Sequence, residues 1–224
     1  MNTPAALIRL NDRIANLLCD MPSKADLFNM YSSRNPDIDR VDAVQARRAN
    51  LKRYIVERKK MPSLFILAEA PGPWGCRFTG VPITSEEQLI DPAFPHAGER
   101  SSLQSDPLKE YSASIYWRVL APYWEDIFTW NTIPFHPHKI GKPLTIRTPR
   151  LGEIKEFVPV LEEIIDELRP ARTIAIGRKA ERALDLAGVE TTYVRHPSQG
   201  GALLFEEGGR TIIEEMKLTP THVR

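Results

Sequence analysis

Two cysteines, Cys19 and Cys76, are all that the 224 residues contain. Two thiols cannot supply the four ligands of an iron–sulfur cluster or a structural zinc site, and such sparse use of cysteine suits a reducing compartment. Also missing is any apolar run near the ~20 residues that a membrane span requires. Met1-Asn2-Thr3-Pro4 opens no basic segment followed by a long apolar stretch, so no secretory signal is visible. There is no internal repeat and no low-complexity tract. Neither charge sign is in excess: 30 Lys and Arg stand against 29 Asp and Glu, a net charge of +1. A polyanionic partner could therefore be attracted only by a local patch. These absences lead to the expectation of a soluble cytoplasmic protein with no membrane contact, no metal or organic cofactor and no evident obligate protein partner.

What is present is ordinary globular composition, 42% hydrophobic and 26% charged. A chain of this length can bury roughly 70% of its unfolded surface without staples. One domain over 1–224 is expected, with residues 1–60 as a mainly helical N-terminal extension. Residues 5–19 carry apolar positions at helical spacing. Residues 41–60 read as a helix whose outer faces hold Arg47, Arg48, Lys52, Arg53, Arg58, Lys59 and Lys60. That face is either simply solvated or an electrostatic patch for nucleic-acid phosphates.

Four short runs read as strands: Leu64–Ala68, Ile127–Asn131, Arg172–Ile176 and Thr191–Arg195. Between them lie helices at 112–120 and 179–187 and a long stripe from Leu151 to Leu168 through Ile154, Val158, Leu161 and Ile165. A last helix falls within 200–216. The proline-rich stretch 70–110 reads as a long loop, the kind usually kept for function or left disordered. Strands alternating with helices predict a parallel, three-layer α/β domain.

Ligand sites in such sheets form outside the C-terminal strand ends, and three of these ends carry distinctive residues. The first run feeds into Glu69-Ala70-Pro71-Gly72-Pro73-Trp74-Gly75. This loop can present backbone N–H groups to a ligand oxygen, and it lacks the glycine and lysine spacing of a phosphate loop. Trp74 and Phe78 offer rings for stacking on a planar base, or alternatively anchor the loop in the core. The second strand ends on Asn131, whose amide can read a base edge presenting one donor and one acceptor or can simply form a turn. His136 and His138 follow at i, i+2 spacing, with no third ligand nearby to complete a metal site. The last strand delivers His196, held extended by Pro197 and able to donate to a developing negative charge or transfer a proton. Ser198, Gln199 and Gly200 then form a small, flexible stretch that could approach a nucleic-acid backbone.

Glu69-Ala70-Pro71-Gly72, Asn131 and His196-Pro197-Ser198 together resemble the three signature segments of the uracil-DNA glycosylase superfamily. The continuation Gly72-Pro73-Trp74-Gly75-Cys76-Arg77-Phe78-Thr79-Gly80-Val81-Pro82 is similar to the loop of the single-strand-selective monofunctional uracil glycosylases. The Glu-Ala-Pro-Gly opening is closer to the iron–sulfur (family 4) branch, whose cluster cysteines are missing. The resemblance implies a central four-stranded parallel sheet with helices on both faces and a damaged or deaminated base flipped out of DNA into a pocket. It implies that backbone around Ala70, Pro71 and Gly72 contacts the pyrimidine and that Asn131 reads its N3/O4 edge. His196 would bond O2 and stabilise the base anion, and Ser198, Gln199 and Gly200 would enter the minor groove. Two positions depart from the pattern. Ala70 stands where many members keep a catalytic Asp or Asn, and Ile83 replaces a ring-stacking Phe, with Phe78 or Trp74 as substitutes. Glu69 becomes the first candidate for the water-activating carboxylate, and Glu86 and Glu87 the second; these last two could equally be solvent-facing. The function expected is monofunctional hydrolysis of the N-glycosidic bond of uracil or a related deaminated base in DNA, a base-excision repair step. The alternatives are a catalytically impaired binding module of the same fold and a small-nucleoside hydrolase.

Overall fold

The computed structural model describes residues 4–221; Met1–Thr3, part of the segment read above for a signal, and His222–Arg224 lie outside the described residues. Its centre is four parallel strands: β2 (Leu64–Ala68), β3 (Ile127–Asn131), β5 (Arg172–Ile176) and β6 (Thr192–Val194), in the order β3-β2-β5-β6. Two-residue strands β1 (Leu27–Phe28) and β4 (His136–Pro137) form a separate antiparallel pair. The helices, in chain order, are α1 (Ala5–Cys19), α2 (Ala43–Val56), α3 (Cys76–Thr79), α4 (Glu86–Ile90), α5 (Tyr111–Leu120), α6 (Leu151–Leu168), α7 (Arg178–Leu186) and α8 (Ala202–Glu215). A 3₁₀ segment, Ala121–Asp126, leads from α5 into β3. The expected three-layer α/β/α arrangement around a four-stranded parallel sheet is what the chain forms. Among the described residues no helix is long and apolar enough to cross a membrane.

β2 is buried along its whole length, as a parallel strand covered on both faces must be. β3 is one edge strand of the sheet, and the outward backbone groups of its Thr129 are met by a side chain. The Tyr54 hydroxyl of α2 accepts the Thr129 N–H at 2.7 Å and donates to the Thr129 carbonyl at 3.1 Å. An edge left open would template unwanted pairing.

α6 lies where the apolar stripe predicts, but its buried face is turned. Ile154, Phe157, Val160, Leu161, Ile164 and Leu168 face the core, while Leu151 is exposed and Val158 and Ile165 are half-buried. Phe157, packed edge-on against Phe135, draws that side of the helix inward. The stretch 70–110 is not a plain loop, since it contains α3 and α4.

The N-terminal segment enters the same core through Leu7, Leu10, Ile14 and Leu18, and it carries the underside of the first strand-end loop. Tyr31 Oη donates to the Gly80 carbonyl at 2.8 Å, and Asn50 Nδ2 donates to that of Thr79 at 3.0 Å. Asp39, fully buried, takes both Arg47 of α2 (2.6 Å) and Arg77 of α3 (3.1 Å). The basic residues of this segment are accordingly divided, with Arg48, Lys52, Lys59 and Lys60 exposed to solvent. Arg47 and Arg58 are buried, Arg48 donates to the Tyr31 carbonyl, and Arg53 and Lys60 pair with Glu99 and Asp126.

Candidate active site

Parallel pairing brings the three loops to one sheet edge. Asn131 pairs in register with Ala68, Leu67 with Ala175, and Ile176 with Val194. Asn131 and His196 therefore stand at opposite ends of the edge, three strand spacings or roughly 14 Å apart in backbone, with the Glu69–Gly75 loop between them.

A cavity of ≈ 400 Å³ opens at this edge, lined by Glu69, Ala70, His196, Ser198 and Gln199 among others. The His196 ring is oriented by its own turn. The Ser198 backbone N–H donates to Nδ1 at 3.1 Å, and the Ser198 hydroxyl lies 2.8 Å from the same nitrogen. An N–H can be received only by an unprotonated nitrogen, so the ring proton sits on Nε2, which has no partner among the described residues. Burial, with Arg195 beside it, lowers the His196 pKa to about 4. At neutral pH the group is thus an uncharged Nε2–H donor on the cavity wall. Gly201 permits this turn: a Cβ there would lie 2.1 Å from the His196 carbonyl oxygen.

Glu69 reaches across to α7. Its Oε1 accepts the Lys179 backbone N–H at 3.2 Å, a favourable place for a carboxylate at a helix N-terminus, and its second oxygen has no partner among the described residues. α7 also adds Arg178 and Lys179 to the cavity wall, and Arg195, the residue after β6, lines it too. Arg178 pairs with Glu181 and lies over the Tyr193 ring, 4.0 Å from its centre. Arg195 is exposed and has no acidic partner among the described residues. None of these cations belongs to the three motifs, so sequence reasoning passed over them; the helix start after the third strand was the available signal.

Asn131 is 3% exposed. Its Nδ2 lies 3.5 Å from Cys76 Sγ, and its Oδ1 is buried without a partner. Ala70 of the first loop lines the cavity, while Pro71, Gly72, Trp74 and Phe78 do not, nor does Asn131. Pro71 and Gly72 are buried, Trp74 is 42% exposed at the surface, and Phe78 is enclosed under the Arg77 guanidinium, 4.2 Å from its ring centre. Phe78 is therefore an anchor of the loop rather than a ring facing the cavity. Ile83 is buried with φ of 45°, an unusual conformation for a β-branched residue.

The second-choice carboxylates are spoken for. Glu86 is 0% exposed and accepts the N–H groups of Ser101 (2.8 Å), Ser102 (2.8 Å) and Leu108 (3.2 Å) and the Ser102 hydroxyl (2.7 Å). Burial alone would raise its pKa, but these bonds hold it below the usual range. It is a clamp for the 100–108 loop, neither solvent-facing nor near the cavity. Glu87 pairs with Lys109 at 2.5 Å.

His136 also has a structural task. Its Nδ1 lies 2.8 Å from the Pro71 carbonyl and its Nε2 3.1 Å from that of Pro143, so the ring props the first loop from behind. Burial lowers its pKa to about 4. Among the described residues no group of three or more His, Cys, Asp or Glu side chains is placed to hold a metal ion.

Three comparisons add to this geometry. The family model described as "Uracil DNA glycosylase superfamily" matches residues 57–215, more than two thirds of the chain. Solved structures with the same fold include the crystal structure of wild-type SMUG2 from Pedobacter heparinus. It superposes with a TM-score of 0.62 at 13% sequence identity, covering 93% of this chain and 98% of that one. No curated protein matches the chain.

Proposed function

We propose that this chain, which belongs to the uracil DNA glycosylase superfamily, is a monofunctional DNA glycosylase acting on uracil or a related deaminated base. The observation that carries the reading is the His196 tautomer: a neutral imidazole, oriented through Nδ1 by Ser198, with a free Nε2–H at a cavity shared with Glu69. Breaking an N-glycosidic bond sends the bonding electrons into the base, and the charge gathers on its ring carbonyls. A fixed neutral donor at that oxygen stabilises the charge as it forms and costs no reorganisation. The sugar becomes electron-poor, and the second Glu69 oxygen is the carboxylate available to orient water and to counter that positive charge. Ala70 contributes backbone only. With Ser198 committed to His196, the DNA-facing part of this loop is Gln199, Gly200 and the exposed Leu203, 72% accessible at the start of α8. An apolar wedge of this kind can hold an unstacked base step open. Arg178, Lys179 and Arg195 would meet phosphates beside it.

Incubation with single- and double-stranded oligonucleotides containing uracil, hypoxanthine or xanthine tests the reading. Abasic product from at least one base is expected, with no borohydride-trapped adduct, since the chemistry assigned here needs no lysine nucleophile. Asn131→Ala should reduce discrimination for the preferred base more than it reduces DNA affinity. Intact oligonucleotides throughout would refute catalysis. Retained binding of uracil-DNA without product would support a second reading, a binding module that has lost turnover, which the missing side chain at Ala70 favours. Arg195→Ala should weaken binding across sequences and reduce the salt slope by about 1. An unchanged slope would remove Arg195 from the phosphate contacts.

A further inference from the structure

With a net charge of +1, attraction of a polyanion falls to local patches, and the segment after β3 supplies one. Residues 132–152 carry Lys139, Lys142, Arg147 and Arg150 and no acid. Arg147 and Arg150 are taken up by Asp26 and Glu153. Lys139 and Lys142 are exposed and have no acidic partner among the described residues. They flank a tight turn with Ile140 and Gly141 at its apex: the Lys142 N–H donates to the Lys139 carbonyl at 2.9 Å, and Gly141 takes a φ of 71°. Thr145 fastens both ends, its Oγ1 accepting the Lys139 N–H at 3.0 Å and donating to the Lys142 carbonyl at 2.7 Å. The stem is fixed as well, by the His138 N–H on the Asp26 carbonyl at 3.0 Å and the Arg147 N–H on that of Pro137 at 3.1 Å. The turn is thus built rigidly, yet Ile140 at its tip is 73% exposed. From Thr145 the chain passes straight to Ile146, Arg147 and Thr148, which line the cavity that His196 and Glu69 share. A lone exposed isoleucine is ordinary on a protein surface. One held at the tip of a rigid turn, between two unpaired cations and beside the candidate active site, is not explained by folding.

We propose that the Lys139–Lys142 turn is a second DNA-gripping element, with Ile140 pressed against the bases beside the extruded nucleotide and the two lysines on flanking phosphates. This rests on the glycosylase reading above and names the form of its substrate, a duplex. Extruding a nucleotide opens a gap that the base stack recloses unless something fills it, and apolar side chains entering a base step do so. Leu203, at the start of α8, is one such tip. Ile140 comes to the same cavity from the β3 side, so two apolar tips would bracket the nucleotide. The rigid turn matters here, because a wedge that had to be ordered on binding would lose part of the gain to lost conformational freedom. Lysine suits the flanks, since its ammonium is a point charge on a flexible stem that can follow a phosphate without one fixed geometry. Lys179 and Arg195, on the cavity wall, likewise have no acidic partner among the described residues, so the turn would extend a basic track that already begins there. On a single strand there is no opposing stack to hold apart, and only the lysines would act.

The test is binding of the full chain, by fluorescence anisotropy over a salt series, to a tetrahydrofuran abasic analogue placed in a duplex and in the same strand alone. The double variant Lys139→Ala/Lys142→Ala should reduce the salt slope on the duplex by about 2, one phosphate for each lysine. Ile140→Ala should weaken duplex binding by roughly 10-fold, the scale of a few methylene groups returned to water, and leave single-strand binding and the salt slope unchanged. Ile140→Leu should keep duplex binding. All three side chains are exposed, so thermal midpoints should stay at the wild-type value. An unchanged slope in the lysine double variant overturns the proposal. So does an Ile140→Ala variant that binds both forms as wild type does, or loses both equally. Abasic product in the glycosylase assay decides the catalytic reading separately. Variants that bind like wild type while product still forms sink the role of the turn alone, and the expected binding pattern without product sinks the catalytic reading alone.

Discussion

Asp39→Asn should destabilise the fold by about 3–5 kcal/mol, the range for breaking a buried ion pair from one side. One carboxylate stands between two guanidinium groups, and all three side chains are 0–1% exposed. Burial would raise the Asp39 pKa, yet Arg77 and Arg47 outweigh it and hold the carboxyl below its ordinary value. Burial lowers Arg47 to about 10, so it remains charged at neutral pH. Removing the anion leaves two desolvated cations facing each other, which costs more than the pair itself contributes. For a chain of this size each kcal/mol moves the thermal midpoint by roughly 2–4 °C, so a drop on the order of 10 °C is expected. The sign with pH follows from the lowered folded pKa: the contribution is complete above the ordinary carboxyl value of 3.8 and is lost as pH falls below it. Asp42→Asn is the control. Its pair with Arg40 is half exposed and should be worth about 0–1 kcal/mol. A thermal midpoint for Asp39→Asn within 2 °C of wild type would refute the argument. Because Arg77 belongs to α3, Asp39→Asn should also slacken the first loop and lower activity at temperatures where the protein stays folded.

This network also marks the limit of what could be read from residues alone. Leu64–Ala68, Ile127–Asn131 and Arg172–Ile176 are strands with the expected bounds, because a buried parallel strand leaves an unbroken apolar run between breakers. The placement of Asn131 and His196 at one sheet edge follows from those bounds and the parallel order. The fate of the charged residues does not. Arg47, Arg77 and Glu86 are buried by partners 8 to 38 positions away, and no local pattern separates such a residue from a solvated one. Glu110, immediately before α5, is illegible for a related reason: only the path of the loop between α4 and α5 brings its carboxyl against Gly72 and Gly75. The spacing of His136 and His138 suggests only an incomplete metal site, and that the His136 ring is wedged between the carbonyls of Pro71 and Pro143 is a tertiary fact. Position in the backbone was readable; pairing across the chain was not.

His196→Ala should lower the single-turnover rate of base release by roughly 10- to 1,000-fold, the range up to the loss of one preorganised donor to a developing oxyanion. DNA affinity should change little, because the donor is matched to charge that exists only as the bond breaks. The pH dependence separates this role from that of a charged catalyst. An ordinary histidine titrates near 6.5, and one acting as imidazolium would lose activity as pH rises through that value. Here burial favours the neutral ring and lowers the pKa to about 4, and Nδ1 is already occupied as an acceptor by the Ser198 N–H. The rate should therefore show no His196 titration between pH 5 and 8, with its protonation appearing only towards pH 4. A ¹⁵N-labelled imidazole should show the proton on Nε2 across the neutral range. Ser198→Ala removes the hydroxyl but keeps the backbone N–H, so it should retain the tautomer and lose much less rate than His196→Ala. A rate limb near pH 6.5 that vanishes in His196→Ala, or a proton found on Nδ1, would overturn the neutral-donor mechanism while leaving the glycosylase reading to the product assay.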